Sequence, residues 1–439
     1  MDIAVVNRNA PDLKKVILEN MANPPALERL YRQHPEDFRL ALEEAYRSYP
    51  DSIVLQMWRE RLYHAVSTPR PRRPEGTSAA ASPWREWLTI GLLTLIAGSL
   101  AKIPTWMPSI NEYDFFLRYG WLAVFPILIF YLFLRRTPDW PIFLPVMGLL
   151  MMSPLYIRHL PDPYQSGAAW LACLHLPIFL WGLTGVAYGN REIGTDPKRL
   201  EFLRFTGETL LIGGLLILIG GTVVLFGVGL FSFTRLPVTG FVQEYVIIYG
   251  LAAAPLIAAH IVLSQDARWK PLMLLATRAF IPVALVILLI YLILCGINGT
   301  TPYTDRHCLN AFFALLPLLS GLIILAIVER PPDALPSGQD YLTFALAMLA
   351  LLMALSILPV NALELTAGTL SPLQVAVLGW NLLLLGNLVG IGVYYGRFLS
   401  GMDSPEPLNR WVGRYCIAYV LWATVVVFGF PFLFSGGYL

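Results

Sequence analysis

The side chains able to do chemistry in this chain are few, and most lie inside or beside long apolar runs. Glu208, His260 and Arg278 fall at similar depth in three consecutive runs. A Glu208–Arg278 pair would neutralise two charges that are costly in hydrocarbon, and His260 beside it would titrate near neutral pH. Such a trio suits a proton or anion site. The same residues equally make a structural ion pair whose long side chains reach for the membrane interface. His175, flanked by Cys173 and Pro177, is the more deeply placed histidine, and a proline in a helix frees a carbonyl that can bond it. Asn381 and Asn387 are suited to bonding neighbouring helices. All three also read as satisfied packing residues.

Two polar clusters lie between runs. Asn111-Glu112-Tyr113-Asp114 places two acids two positions apart. It is loosely similar to the first external loop of membrane glycosyltransferases that use lipid-linked sugars, which implies an early carboxylate acting as base or metal ligand. That family carries a larger external domain, which this chain lacks; a solvated loop is the simpler reading. Tyr303-Thr304-Asp305-Arg306-His307 is the second cluster, with Asp305 and His307 as its reactive groups, bracketed by Cys295 and Cys308. On an oxidising face those two cysteines are expected to join. Asn298-Gly299-Thr300 fits a glycosylation acceptor, a common tripeptide. The four cysteines show neither metal-ligand spacing nor a Cys-x-x-Cys pair, so no catalytic residue, metal or cofactor is assigned.

What must position these groups is a membrane-spanning bundle. Hydrophobic residues make up 56% of 439 positions and charged residues 14%, where a soluble domain carries roughly 25% charged. Net charge is +2, so there is no nucleic-acid footprint. Residues 1–85 hold no apolar core segment, and the first long run, near Trp87, is expected to act as an uncleaved anchor. A crossing takes roughly 20 residues. Eleven runs qualify, near 87–103, 119–135, 140–157, 167–189, 206–232, 240–263, 271–296, 308–328, 341–359, 372–395 and 411–434. Pro141, Pro145 and Pro154 interrupt the third.

Lysine and arginine alternate between loops. One set holds Arg70, Arg72, Arg73 and Arg85; Arg135 and Arg136; Arg191, Lys198, Arg199 and Arg204; Arg268 and Lys270; Arg330; and Arg397, Arg410 and Arg414. The intervening loops hold Lys102 and Arg118, then Arg158, Arg235 and Arg306 singly. Basic residues favour the cytoplasmic side, which places the N-terminus inside and Ser435–Leu439 outside. Losing one span would invert every later loop. Gly213-Gly214, Gly220-Gly221 and Gly227 in span five, and Gly386-x-x-x-Gly390 in span ten, are expected to form packing seams.

Ahead of the bundle, residues 1–68 read as short soluble helices and 69–84 as a Pro/Arg/Ser linker, with 85–439 forming the bundle. A helix is expected over Pro24–His34. Pro35 opens another, with Phe38, Leu42 and Ala45 on one face. Tyr49-Pro50-Asp51-Ser52 breaks it before a third carrying Ile53, Leu55, Trp58 and Leu62. The stretch Ala41-Leu42-Glu43-Glu44-Ala45 followed by Pro50-Asp51-Ser52 resembles the second helix and turn of a tetratricopeptide repeat. That resemblance implies a docking surface; an ordinary helical hairpin is the alternative. The fold class is therefore all-α: a polytopic bundle of about eleven spans with a small cytosolic helical domain.

A second resemblance covers about residues 270–400. Arg278-Ala279-Phe280-Ile281-Pro282 and Leu370-Ser371-Pro372-Leu373-Gln374-Val375-Ala376-Val377-Leu378-Gly379-Trp380-Asn381 resemble a bacterial membrane family known as domain of unknown function four-one-five-three. In that family the second segment reads Thr-Pro-Asn-Arg; here Leu373 and Gln374 replace the Asn-Arg pair, so no role carries over for that arginine. The resemblance implies the bacterial inner membrane and no particular activity. Three function classes stand. An accessory or scaffold component would dock a cytosolic partner through residues 1–68. A transporter or channel would use polar groups in spans four to seven. A membrane-embedded transferase would act at the outer face. The first is preferred for the helical domain on its tether; the midplane is nearly free of charge and shows no internal repeat, and no motif joins the carboxylates an enzyme would need.

Overall fold

The computed structural model describes residues 10–21, 23–33, 35–67, 83–135, 139–232, 238–264, 270–331, 335–366 and 370–434, all helix, turn or loop. It divides into two compact units, Met1–Ala80 and Ala81–Leu439.

The first unit holds α1 (Ala10–Glu19), α2 (Pro24–Gln33), α3 (Pro35–Ser48) and α4 (Ile53–Ser67). Its core is the stripe read from the sequence: Phe38, Leu42 and Ala45 from α3 meet Leu55, Trp58 and Leu62 from α4. Ile17 of α1, a helix that periodicity did not single out, and Leu27 of α2 complete it. Tyr31, Phe38 and Trp58 form an aromatic cluster with ring centroids 5.2–5.8 Å apart. Arg61 lies over Trp58 and pairs with Glu28 at 2.5 Å, and Arg59 pairs with Glu43 at 3.2 Å. Ile53 departs from its expected place. It is exposed, on the outer face of α4 with Met57 one turn on.

The second unit begins with α5 (Pro83–Ala101) and α6 (Ile103–Trp106). The linker expected over 69–84 lies outside the described residues up to Ser82, and α5 claims Pro83 and Trp84. Next come α7 (Glu112–Tyr119), α8 (Phe125–Leu134), α9 (Trp140–His159), α10 (Gly167–Gly189) and α11 (Asp196–Ser232). After α12 (Val238–Phe241) and a π-helical stretch, Val242–Ile247, runs α13 (Ile248–Leu263). There follow α14 (Lys270–Ile297), α15 (Arg306–Glu329), α16 (Gly338–Thr366), α17 (Pro372–Leu399) and α18 (Glu406–Thr424). A second π-helical stretch, Val425–Gly429, leads into α19 (Phe430–Leu433).

Among the described residues, nine helical segments are long and apolar enough to cross a membrane. The chain is a multi-pass helical protein. In place of the expected second span, 119–135, the segment Trp121–Leu134 follows α7 at a 61° bend, and the two are long and apolar enough to cross only when taken together. The expected first span, α5, is not among the nine. Arg85 and Glu86 occupy its first turns, leaving Trp87–Ala101 to span about 22 Å at 1.5 Å per residue, short of the ~30 Å hydrocarbon core.

Two apolar cores organise the unit. One joins α5, α8, α9, α10 and α13 around Ile129, Leu150, Leu176 and Leu256. The other joins α14 to α18 around Leu316, Ala350, Leu388 and Tyr395. The start of α11 contributes to both, with Phe202 in the first and Leu200 against the second. Prolines lie inside α9, α10 and α13 to α16, as membrane-spanning helices tolerate more readily than soluble ones.

The glycine expectations divide. On α17, a Cβ at Gly379, Gly386 or Gly390 would strike Trp422, Tyr415 or Trp411. The aromatic face of α18 thus lies in a groove of missing side chains. On α11 the expected seam is not there: a Cβ at Gly214, Gly220, Gly221 or Gly227 would meet nothing within 4 Å, and one at Gly213 would touch only Ala258. That half of α11 presents Leu218, Val223, Leu225 and Phe226 outward instead.

Candidate functional site

His175 is buried and both ring nitrogens are engaged. Nδ1 donates to the Leu171 carbonyl at 2.8 Å, and Nε2 accepts from the indole of Trp380 at 2.6 Å. The carbonyl partner is the residue four back in the helix, not Cys173, whose carbonyl Pro177 frees. From Trp380 the polar contacts run on into α18. Its ring stacks on Tyr419 with centroids 5.7 Å apart; the Tyr419 hydroxyl accepts from Asn387 at 2.9 Å; and Asn387 accepts from Trp411 at 3.2 Å. A protonated imidazole would set Nε2–H against the indole N–H, donor facing donor. This arrangement therefore holds a neutral histidine and joins α10, α17 and α18 at membrane depth. Asn381 donates to the Ala354 carbonyl at 3.3 Å, which ties α17 to α16.

His260 sits elsewhere. Its Nδ1 is 2.7 Å from the Tyr131 hydroxyl, and its ring lies edge-on to Trp87 with centroids 4.6 Å apart. Arg135 and Glu86 pair close by at 3.8 Å. The three residues expected to converge are thus not assembled. Among the described residues no ion pair joins Glu208 to Arg278. Glu208 is half-buried and engaged, whereas Arg278 is exposed. Depth along the sequence says nothing of rotation about each helix axis, and rotation decides which groups meet.

At the expected outer end, Asp114 is taken up structurally. It accepts from Arg118 at 2.8 Å, and Arg118, itself buried, donates to the carbonyls of Ile157, Leu160 and Pro161 at 3.0–3.3 Å. Leu160 and Pro161 lie just past the end of α9, and the Ile157 carbonyl also accepts from the Leu160 backbone at 3.3 Å. Glu112 is exposed in the first turn of α7, where a negative charge suits the helix dipole. The second cluster behaves alike. Asp305 caps α15 by accepting from the His307 backbone at 2.8 Å, His307 is exposed, and Arg306 pairs with Glu364 at 3.1 Å. Cys295 and Cys308 do meet. Both are free thiols, in hydrogen-bonding reach of Tyr291 and of each other.

Several basic groups counted only as loop charges prove to be fasteners between elements, the side chains of Lys102 and Arg330 among them buried. Lys102 has no exposed surface. It donates to the Glu244 carbonyl at 2.8 Å, lies 3.5 Å from that carboxylate and 3.2 Å above the Tyr245 ring. The π-helical stretch Val242–Ile247 turns both residues toward it. Arg330 pairs with Asp340 at 3.0 Å; Asp340 also accepts from Ser337 and Tyr395. Asp196 accepts from Arg199 and from Arg414, the latter at 2.9 Å, with Arg410 3.6 Å away. Between helices, Asp139 accepts from Arg191, and that guanidinium holds its carboxyl below the ordinary carboxylate value. No spacing rule pairs residues as far apart in sequence as Asp196 and Arg414.

One sizeable cavity, of about 570 Å³, lies behind the broken span, among α5, α7, α8, α10, α11 and α13. Among the described residues no three His, Cys, Asp or Glu side chains are grouped to hold a metal. In comparisons with known proteins, no protein-family description, curated protein or solved structure matches this chain.

Proposed function

We propose that the chain is an accessory or scaffold component of the bacterial inner membrane, crossing it eleven times with its N-terminus in the cytoplasm. The first helical unit is its docking module for a cytosolic protein. The observation that carries this reading is the contrast between the two units. In the membrane unit, His175, Asp114, Asp305 and Lys102 are each closed on protein atoms. The first unit has a complete core of its own and keeps Leu40, Tyr49, Ile53 and Met57 exposed. Exposed apolar side chains on a small soluble unit mark interaction sites when they cluster, and Ile53 and Met57 share one face of α4. The loop charges support the orientation; beyond the nine long segments, the count of eleven takes the bent pair as one crossing and α5 as another, its short apolar run matched by local thinning of the bilayer. The resemblance of residues 270–400 to a bacterial family of unassigned activity favours the inner membrane.

A photo-crosslinking amino acid at position 53 or 57, in cells carrying the full chain, should give one discrete protein adduct that is lost with Tyr49→Asp. No adduct from either position, with position 44 as the exposed control, would overturn the docking role. Transport of a polar solute is the second reading, favoured by the broken span beside a cavity. It is the weaker one, because no charged side chain lines that cavity.

A further inference from the structure

The cavity behind the broken span has a chemistry of its own. It lies where the chain bends by 61° around Gly120, between α7 and the segment Trp121–Leu134. A Cβ at Gly120 would come within 2.6 Å of the Phe116 carbonyl oxygen. Small residues, Ala101, Ala123 and Ala252, line the space from three elements. Five side chains with a polar atom also line it: Trp121 at the rim, and Trp181, Thr184, Thr206 and Thr209 deeper in. Three of them are turned away into protein bonds. Trp181 donates to Thr206 at 3.0 Å, Thr206 to the Phe202 carbonyl at 2.9 Å, and Thr184 to the Leu180 carbonyl at 2.9 Å. Thr209 is buried, and its hydroxyl has no partner.

Physical chemistry narrows the occupant. Water in a cavity needs 2–4 polar partners, and in a wall this apolar only Thr209 offers a buried hydroxyl with no protein partner. An empty space of this size forfeits the dispersion contacts of its lining. The rim residues Trp121, Leu210 and Leu251 are mainly apolar and exposed, and they lie on segments read as spans. The mouth therefore opens sideways into the bilayer, where hydrocarbon is the available filler. No charged side chain is present to select a phosphate headgroup. Recognition falls to the chain itself.

We infer that this cavity is a binding site for an acyl chain of a membrane phospholipid, held as a resident lipid. Retention comes from fit and not from hydrophobic transfer, because the chain leaves one apolar medium for another. The site goes beyond the docking role and is independent of it.

The test uses the full-length protein in vesicles of phosphatidylethanolamine and phosphatidylglycerol, doped with a phosphatidylethanolamine carrying a diazirine in its acyl chain. After irradiation, adducts are mapped by peptide mass spectrometry. Labelling at Trp121, Leu128 and Leu251 should exceed that at Leu218 and Phe226, which face outward on α11, by several-fold. Ala123→Phe and Ala252→Phe fill the cavity from different walls, and either one that remains monodisperse should abolish the excess. Equal labelling of the cavity and the outer face of α11 in the wild type would reduce the site to ordinary annular lipid and overturn the proposal. So would persistence of the excess in a filled variant. Displacement of the phospholipid adducts by a trace of polyprenyl alcohol, but not by added phospholipid, would overturn the choice of an acyl chain.

Discussion

The indole N–H of Trp380 donates to Nε2 of His175 at 2.6 Å, across 205 positions of sequence. With the bond that Nδ1 makes, it satisfies both nitrogens of a neutral histidine deep in the bundle. The Leu171 carbonyl takes its one N–H, and Trp380 supplies the donor its other nitrogen needs.

Trp380→Phe should therefore destabilise the protein by about 1–3 kcal/mol, the cost of leaving a buried acceptor unpaired. In the Trp380→Phe/His175→Leu double variant the two losses should be less than additive, as expected for residues in direct contact. Thermal unfolding of the purified protein in detergent measures both. Simple additivity would mean that the bond contributes nothing.

The two glycine sets give opposite expectations for the same substitution. Gly390→Ala must displace Trp411 and should cost about 1–3 kcal/mol as an overpacked site. Gly221→Ala meets open space and should be neutral or stabilising by up to about 1 kcal/mol, since alanine restricts the unfolded chain. Melting temperatures of the pair separate a seam from a bare helix face.

Arg118 holds three carbonyls at the end of α9. Arg118→Met should cost on the order of 1–3 kcal/mol for each carbonyl left without a donor. Glu112→Gln, at an exposed position, should stay within about 0.5 kcal/mol of wild type. If Glu112→Gln instead abolished a cellular phenotype at unchanged protein level, the outer-face carboxylate would have a chemical role after all.

The Asp139–Arg191 pair makes a pH prediction. The guanidinium lowers the folded carboxyl below its ordinary value of 3.8. Folding is thus favoured by this group above that ordinary value, and the contribution disappears as pH falls through the lowered one. Wild type and Asp139→Asn should differ in thermal stability at pH 6 and converge near the acid end of the scan. The difference is small, because the pair is exposed and screened. A gap that widens toward low pH would contradict the assignment.

Orientation is open to chemical labelling. In intact cells a membrane-impermeant maleimide should modify Thr301→Cys directly, and Glu192→Cys only after the membrane is permeabilised. The reverse pattern would invert the topology and, with it, the cytosolic placement of the helical unit.

The sequence by itself determined which segments are helical and which are apolar enough for a bilayer, because both properties are local. Composition carries hydropathy, and period carries the buried face of α3 and α4. Gly386-x-x-x-Gly390 likewise announced close backbone approach. Tertiary structure alone decided what each group faces. It left Glu208 half-buried and Arg278 exposed with no ion pair between them among the described residues, closed Asp114 onto Arg118, and gave the Gly386–Gly390 groove to Trp411 and Tyr415 while leaving Gly220 and Gly221 without a neighbour. It also bent the second span and opened a cavity behind it. These outcomes depend on helix rotation and on pairings separated by dozens to hundreds of residues, as between His175 and Trp380, and no periodicity within a single segment encodes them.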